Sequence, residues 1–438
     1  MRILPKLSRR IPRVGPFVAF LSSFLALVVL KIPTSFSNFW AEDGTFYQQA
    51  LTEAFPRDIF SSGGGYIIFI SRVIARIVTL GPISYAPFIN EIVVTVVLSF
   101  FVFRLYSNLN FLIKSRVFKL IASISVFLLP INNFDVIASS GGLHFQLIFI
   151  SLVIVLVARE TGQISLIDLA IISIAILSDP LALISVTPLI LRNRHDAIKF
   201  WKSKLSSLVF LGISALIQFI MVMKFHSQDS RTIGDTHSII KTTYLFLDRV
   251  IGSTFIPHWG RVSSDNLLAG GISSQLIVRA LIGITTFIVI SLFTIVHLRK
   301  KLPIKEMHSK ETISWLIVLP VLYWLTVGYL FNPEPRYAIF PGLSFLLISL
   351  ILLDHLSCNE RSALKINLLT LLVVVFSVLI WIFSASPSDR RIIGPEWHVQ
   401  ILKGELECNQ LNQESVMVRI LPVDDDWKVE ISCDYLNH

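Results

Sequence analysis

Eleven apolar runs, at 14–33, 84–103, 117–131, 143–157, 164–178, 181–191, 206–223, 273–298, 314–331, 338–356 and 366–385, leave most of this chain no role but crossing a membrane. A helix needs about 20 residues to span the roughly 30 Å hydrocarbon core. Backbone inside lipid must satisfy its own hydrogen bonds, so runs of this kind read as helices. The two flanking Asp179 and Pro180 are too short to cross upright and read as a bent or packed hairpin. The composition agrees, with 53% hydrophobic and 15% charged residues and a mean hydropathy of +0.71, against roughly 25% charged in soluble domains. An ordinary cytosolic enzyme is excluded. The net charge of +9 is scattered in short clusters between the runs, as topology determinants are, so no nucleic acid partner is read from it.

The expected fold is therefore an all-α polytopic membrane protein with about eleven transmembrane helices. Residues 1–385 form its transmembrane domain and 386–438 an exported tail. The stretch after Arg2, Lys6, Arg9, Arg10 and Arg13 reads as an uncleaved anchor, although Ser35 and Ser37 leave signal cleavage open. With the N-terminus inside, alternation puts 22 of the 38 Lys and Arg in short inner segments and 16 in longer outer ones. Short loops obey the positive-inside bias and long exported ones escape it, so a cytoplasmic N-terminus and an exported C-terminus are expected. Compactness and the exported tail point to a bacterial inner membrane.

Two long exported loops then stand out, 34–83 and 225–272. Within the first, residues 66–80 carry Arg72 and Arg76 four apart on an otherwise apolar surface and read as an interfacial helix. The tail has alternating runs at 415–421 and 427–433, predicting a small α/β or β cap. It also holds Cys408 and Cys433, free to pair in an oxidising compartment, whereas Cys358 falls in an inner loop.

No Walker loop, dinucleotide fingerprint, His-Glu-x-x-His or Cys-x-x-Cys occurs, so nucleotide-driven chemistry is not expected. The chemistry-bearing stretch is 38–47, where Glu42 and Asp43 sit among Phe39, Trp40, Phe46 and Tyr47 just outside the first run. A carboxylate there can reach a substrate arriving along the membrane surface; equally, Asp43 can cap a helix over 45–54. Arg336, in a short outer turn, suits bidentate phosphate contact or snorkelling. His144 follows Gly141 and Gly142 at a helix mouth. His258 and Trp259 lie in the second long loop. Asp179 is an ionisable group near lipid depth or a cap for the helix opened by Pro180. Asp424, Asp425 and Asp426 read as a solvated turn, not a metal site.

An acidic pair in the first exported loop, an interfacial helix and about eleven spans resemble the GT-C class of membrane glycosyltransferases. Three short motifs carry the resemblance: Glu42-Asp43 with Tyr47, the Gly-Gly-Leu-His at 141–144, and Pro335-Arg336-Tyr337. It implies transfer of a sugar, with inversion, from a polyprenyl-phosphate donor to an envelope glycan, lipid or protein acceptor in a membrane-lipid setting. It assigns Asp43 as general base with Glu42 as the fallback. Arg336 with Tyr337, and Arg72 and Arg76, become donor-phosphate contacts; Tyr47, His144, His258 and Trp259 become substrate contacts. No cofactor is fixed by the sequence. Some members of the class hold a divalent metal on a second acidic pair, and no such pair stands out here. Two rival readings remain. A transporter or flippase of lipid-linked sugars would line mid-membrane with charge, which the runs lack. An oligosaccharide polymerase or ligase would use Arg231, Arg249 and Arg261.

Overall fold

The computed structural model describes residues 14–31, 36–62, 65–128, 139–191, 194–225, 242–243, 245–252, 310–330, 335–357, 395–411, 413–422 and 427–436. Its helices are α1 (Val14–Lys31), α2 (Glu42–Thr52), α3 (Phe69–Val78), α4 (Ala86–Leu109), α5 (Arg116–Leu128), α6 (Leu143–Thr161), α7 (Leu166–Ser178), α8 (Leu183–Ile190), α9 (Arg194–Phe225), α10 (Lys310–Leu330), α11 (Ile339–Ser357) and α12 (Trp397–Leu411). Among the described residues, five helices are long and apolar enough to cross a membrane, within Ile83–Leu109, Ser140–Thr161, Ser206–Phe225, Glu311–Gly328 and Arg336–Asp354; Gly15–Leu30, Leu166–Ser178 and Pro180–Ile190 are shorter apolar helices. The run at 117–131 becomes α5, of 13 residues. The runs at 273–298 and 366–385 lie outside the described residues.

A helix apolar on every face belongs in the middle of a bundle. α6 is such a helix: every residue from Leu143 to Arg159 is buried, against α4, α7, α8 and α11. α6 stops at Gly162, whose φ of 67° is the left-handed turn that glycine adopts without a Cβ clash. α9 lies at the other extreme, with Phe219, Ile220 and Met223 exposed, as on a face turned to lipid.

Polar ties sort the helix ends into two sets. At one end Asp354 accepts from the Lys114 and Ser115 backbone N–H groups at 2.7 and 2.8 Å, Arg104 meets Asp168 at 2.7 Å, and Arg159 meets Glu311 at 2.7 Å. The opposite ends of the same helices carry Asn90, His144, Asp179 and Arg336. The first loop gathers there too, because Gln218 near the end of α9 brackets the Ile67 backbone and the Ser178 hydroxyl accepts from Ile70 N.

The tail forms a cap: α12, an antiparallel hairpin of β1 (Ser415–Arg419) and β2 (Lys428–Ser432) in register Ser415 to Ser432, and a closing turn α13 (Cys433–Leu436). Cys408 of α12 is disulfide-bonded to Cys433. The cap sits on the first loop. Leu421 N donates to Phe39 O at 3.0 Å, Trp397 N to Ser37 O at 2.9 Å, and the Trp397 indole to Ile83 O at 2.8 Å. Gly44 is where α2 lies against the hairpin, since a Cβ there would collide with Ile420 and come within 2.9 Å of Val429. First loop and cap thus share one side of the bundle.

Candidate functional site

α2 begins one turn earlier than the capping pattern predicts, so Asp43 stands inside its first turn and makes no cap bond to its own helix. The expected cap over 45–54 is corrected accordingly. Asp43 instead reaches the residues that lead into α6. The first N–H groups of a helix lack partners within it, and the 3₁₀ turn Ser140–Gly142 leads straight into α6. Asp43 Oδ1 accepts from Ser139 Oγ at 3.1 Å, Ser140 Oγ at 2.9 Å and Gly141 N at 2.9 Å; Oδ2 accepts from Ser140 N at 3.0 Å and Asn90 Nδ2 at 3.3 Å. Burial pushes its carboxyl above the ordinary value, and these hydrogen bonds pull it back. Both oxygens are occupied. In this arrangement the Asp43 carboxylate is enclosed by these five donors.

Glu42, its neighbour, is the partly exposed member of the pair. Its Oε1 lies 3.3 Å from Arg336 Nη1, with side chains 38% and 33% exposed. A pair this open contributes well under about 1 kcal/mol, so another anion can displace Glu42 from Arg336. Arg336 also lies over the Tyr337 ring, 5.9 Å from its centroid, and that ring meets Phe145 edge-on at 5.4 Å. Tyr337 therefore backs the arginine.

Behind the pair, His144 and Asp179 are both buried, with Nε2 3.8 Å from Oδ2, while Asp179 Oδ1 accepts from Leu181 N at 2.8 Å. The three motifs, distant in sequence, therefore converge on one end of the bundle. Asn90, Ser139 and Ser140 join them unannounced by any pattern in the sequence.

Other expected contacts lie elsewhere. Tyr47 is buried against Phe39 and Trp397, with ring centroids 4.9 and 6.1 Å away, and burial holds its phenol well above the ordinary value. It belongs to the seam between loop and cap. Arg72 is buried: its guanidinium donates to Gln49 Oε1 at 2.7 Å, Asp58 O at 2.9 Å and Ser62 O at 2.7 Å. Burial lowers it to about 10, so it stays charged at neutral pH. Arg76 pairs with the buried Asp58 at 2.7 Å. Both arginines hold the first loop to α3. His258, Trp259, Arg231, Arg261 and Asp424 to Asp426 lie outside the described residues, while Arg249 is buried in the π-helical turn Phe246–Gly252. Among the described residues, no three His, Cys, Asp or Glu side chains are grouped to hold a metal.

Among solved structures, the chain is similar to the Archaeoglobus fulgidus oligosaccharyltransferase, determined in complex with zinc and sulfate. Identity is 11% and the TM-score 0.44, over 90% of this chain and 56% of that one, so the chain spans little more than half its length. No family model matches the sequence, and no curated protein does.

Proposed function

We propose that this chain is a membrane glycosyltransferase of GT-C type that moves a sugar from a polyprenyl-phosphate donor to a hydroxyl of an envelope glycan, lipid or protein. The observation that supports it is the partly exposed Glu42, 3.3 Å from Arg336, braced by the buried Asp43 turn. A lipid-linked donor arrives along the membrane with its phosphate already in place as leaving group. The phosphate takes the Arg336 guanidinium in bidentate fashion and frees Glu42. Glu42 then accepts the acceptor hydroxyl proton as its oxygen bonds the anomeric carbon. The bond from that carbon to the phosphate oxygen breaks, and Arg336 stabilises the departing charge. A single displacement inverts the anomeric centre. Asp43 contributes by fixing the turn at the head of α6, so that Glu42 keeps its place. In this reading the site faces the exterior of a bacterial inner membrane and the N-terminus the cytoplasm.

The test is mass spectrometry of polyprenyl-phosphate sugars in a deletion strain and in the same strain carrying wild-type or Glu42→Gln protein at matched abundance. One lipid-linked sugar should accumulate in the deletion and the Glu42→Gln strain and clear with wild type. Clearance by Glu42→Gln would remove Glu42 from the chemistry.

A further inference from the structure

Among the described residues of α10, Tyr323 has a buried hydroxyl left without a partner. Tyr323 of α10 is fully buried, its ring set edge-on against Phe340 at 5.0 Å, and its hydroxyl makes no hydrogen bond. A phenol without a partner in an apolar bundle is costly, and such groups are few in folded proteins. This one is within electrostatic reach of Asp179, Tyr337, Tyr66 and Arg336. Asp179 directs one oxygen to Leu181 N and the other toward His144, 3.8 Å away. Hydroxyl, carboxylate and imidazole thus belong to one neighbourhood, to which the partly exposed Tyr66 and Tyr337 also contribute.

We propose that Tyr323, Asp179 and His144 form the subsite that holds the hydroxyl groups of the transferred sugar. The proposal rests on the glycosyltransferase reading and adds to it which residues recognise the sugar. A sugar ring offers hydroxyls that donate and accept, and apolar C–H faces. The carboxylate of Asp179 accepts from one hydroxyl, the Tyr323 phenol donates to or accepts from another, and the tyrosine rings can cover the C–H face. Charge fixes the order of the parts: a carboxylate disfavours an anion, so the donor phosphate stops at Arg336 while the neutral sugar occupies the deeper position. A site built to hydrogen-bond hydroxyls rejects analogues lacking them, because its own buried groups are then left unpaired.

The experiment compares thermal unfolding of the purified full-length protein with two probes: a short-chain polyprenyl phosphate, and the same lipid phosphate carrying single hexoses or pentoses. Wild type should be stabilised by the bare lipid phosphate and stabilised further by at least one sugar-bearing lipid. Tyr323→Phe, which removes only an unpartnered hydroxyl, should unfold without ligand at or above the wild-type temperature and respond normally to the bare lipid. It should bind the sugar-bearing lipid at least tenfold more weakly than wild type. Asp179→Asn, which keeps the acceptor for Leu181 N, should lose the same increment. If Tyr323→Phe keeps the sugar increment, or loses the bare-lipid response equally, the subsite is overturned while the glycosyltransferase reading stands. If no sugar adds to the bare-lipid shift in wild type, the subsite falls as well. If wild type responds to neither lipid, subsite and function fall together.

Discussion

Replacing Asp43 with Asn tests whether this carboxylate is a positioning group. The carboxylate accepts five hydrogen bonds, from Ser139 Oγ, Ser140 N, Ser140 Oγ, Gly141 N and Asn90 Nδ2. The amide is isosteric but offers one accepting oxygen and one donating nitrogen. Ser140 N and Gly141 N approach different oxygens, so either amide orientation turns NH₂ toward one backbone N–H. A buried donor left unpaired costs about 1–3 kcal/mol, and bonds to a charged acceptor are worth about 1.5–3 kcal/mol each. Relief of a buried charge offsets part of this, leaving an expected destabilisation of roughly 2–4 kcal/mol at neutral pH. The pH dependence gives a second reading. Burial places the folded-state pKa of Asp43 above its ordinary 3.8, so the folded chain binds that proton more tightly than the unfolded one. The resulting stabilisation is fully present below the unfolded value and is lost as pH rises through the folded value. Asn has no such slope, so the gap between wild type and variant should widen as pH falls toward 4. Thermal and denaturant unfolding of the detergent-solubilised proteins between pH 4 and 8 measures both effects. A variant within about 0.5 kcal/mol of wild type at neutral pH, or a gap that narrows on acidification, would refute the reasoning.

Three further outcomes follow from the packing. Trp397→Ala should destabilise the seam between cap and first loop by about 3–5 kcal/mol and expose the cap to limited proteolysis, because a buried indole touching Phe39, Tyr47 and Ile83 O is lost. Cys408→Ser or reduction should cost about 3.5 kcal/mol in the chain-entropy account for a 25-residue separation, read as a lower unfolding temperature of the cap. Arg76→Ala should cost about 3 kcal/mol, since it strands the buried Asp58 carboxylate; Arg76→Ala with Asp58→Asn should recover much of it in the same unfolding assay.

The sequence made some of this legible and hid the rest, for identifiable reasons. Apolar runs of spanning length report burial or lipid contact directly, and among the described residues the helices fall on them. The alternation at 415–421 and 427–433 likewise finds β1 and β2 within two residues at either end. Glu42, Asp43, His144 and Arg336 stood out because charged or titratable side chains are conspicuous beside apolar runs. Their roles did not. Asp43 and Glu42 are adjacent letters, and only the approach of the Ser139 to Gly141 turn decides that one is enclosed and the other partly exposed. Arg72 reads as part of an interfacial helix, yet the carbonyls of Asp58 and Ser62 that bury it come from irregular backbone with no periodic signal. Tyr323 was invisible, because a tyrosine in an apolar run is ordinary until its hydroxyl is found without a partner.

The seam between cap and first loop also has a consequence for the order in which the protein matures. Phe39 and Tyr47 are made early, but Trp397 and Leu421, which complete their packing, follow more than 340 residues later. Until that stretch has been synthesised and delivered to the same side, α2 lacks the surface that Gly44 is shaped to meet, and the acidic turn has no lid to hold it. The end that carries Glu42 and Asp43 would thus reach its final packing only after the cap has been made. Nascent chains halted before residue 395 should accordingly be cut by protease within 36–62, and chains released past 436 should resist.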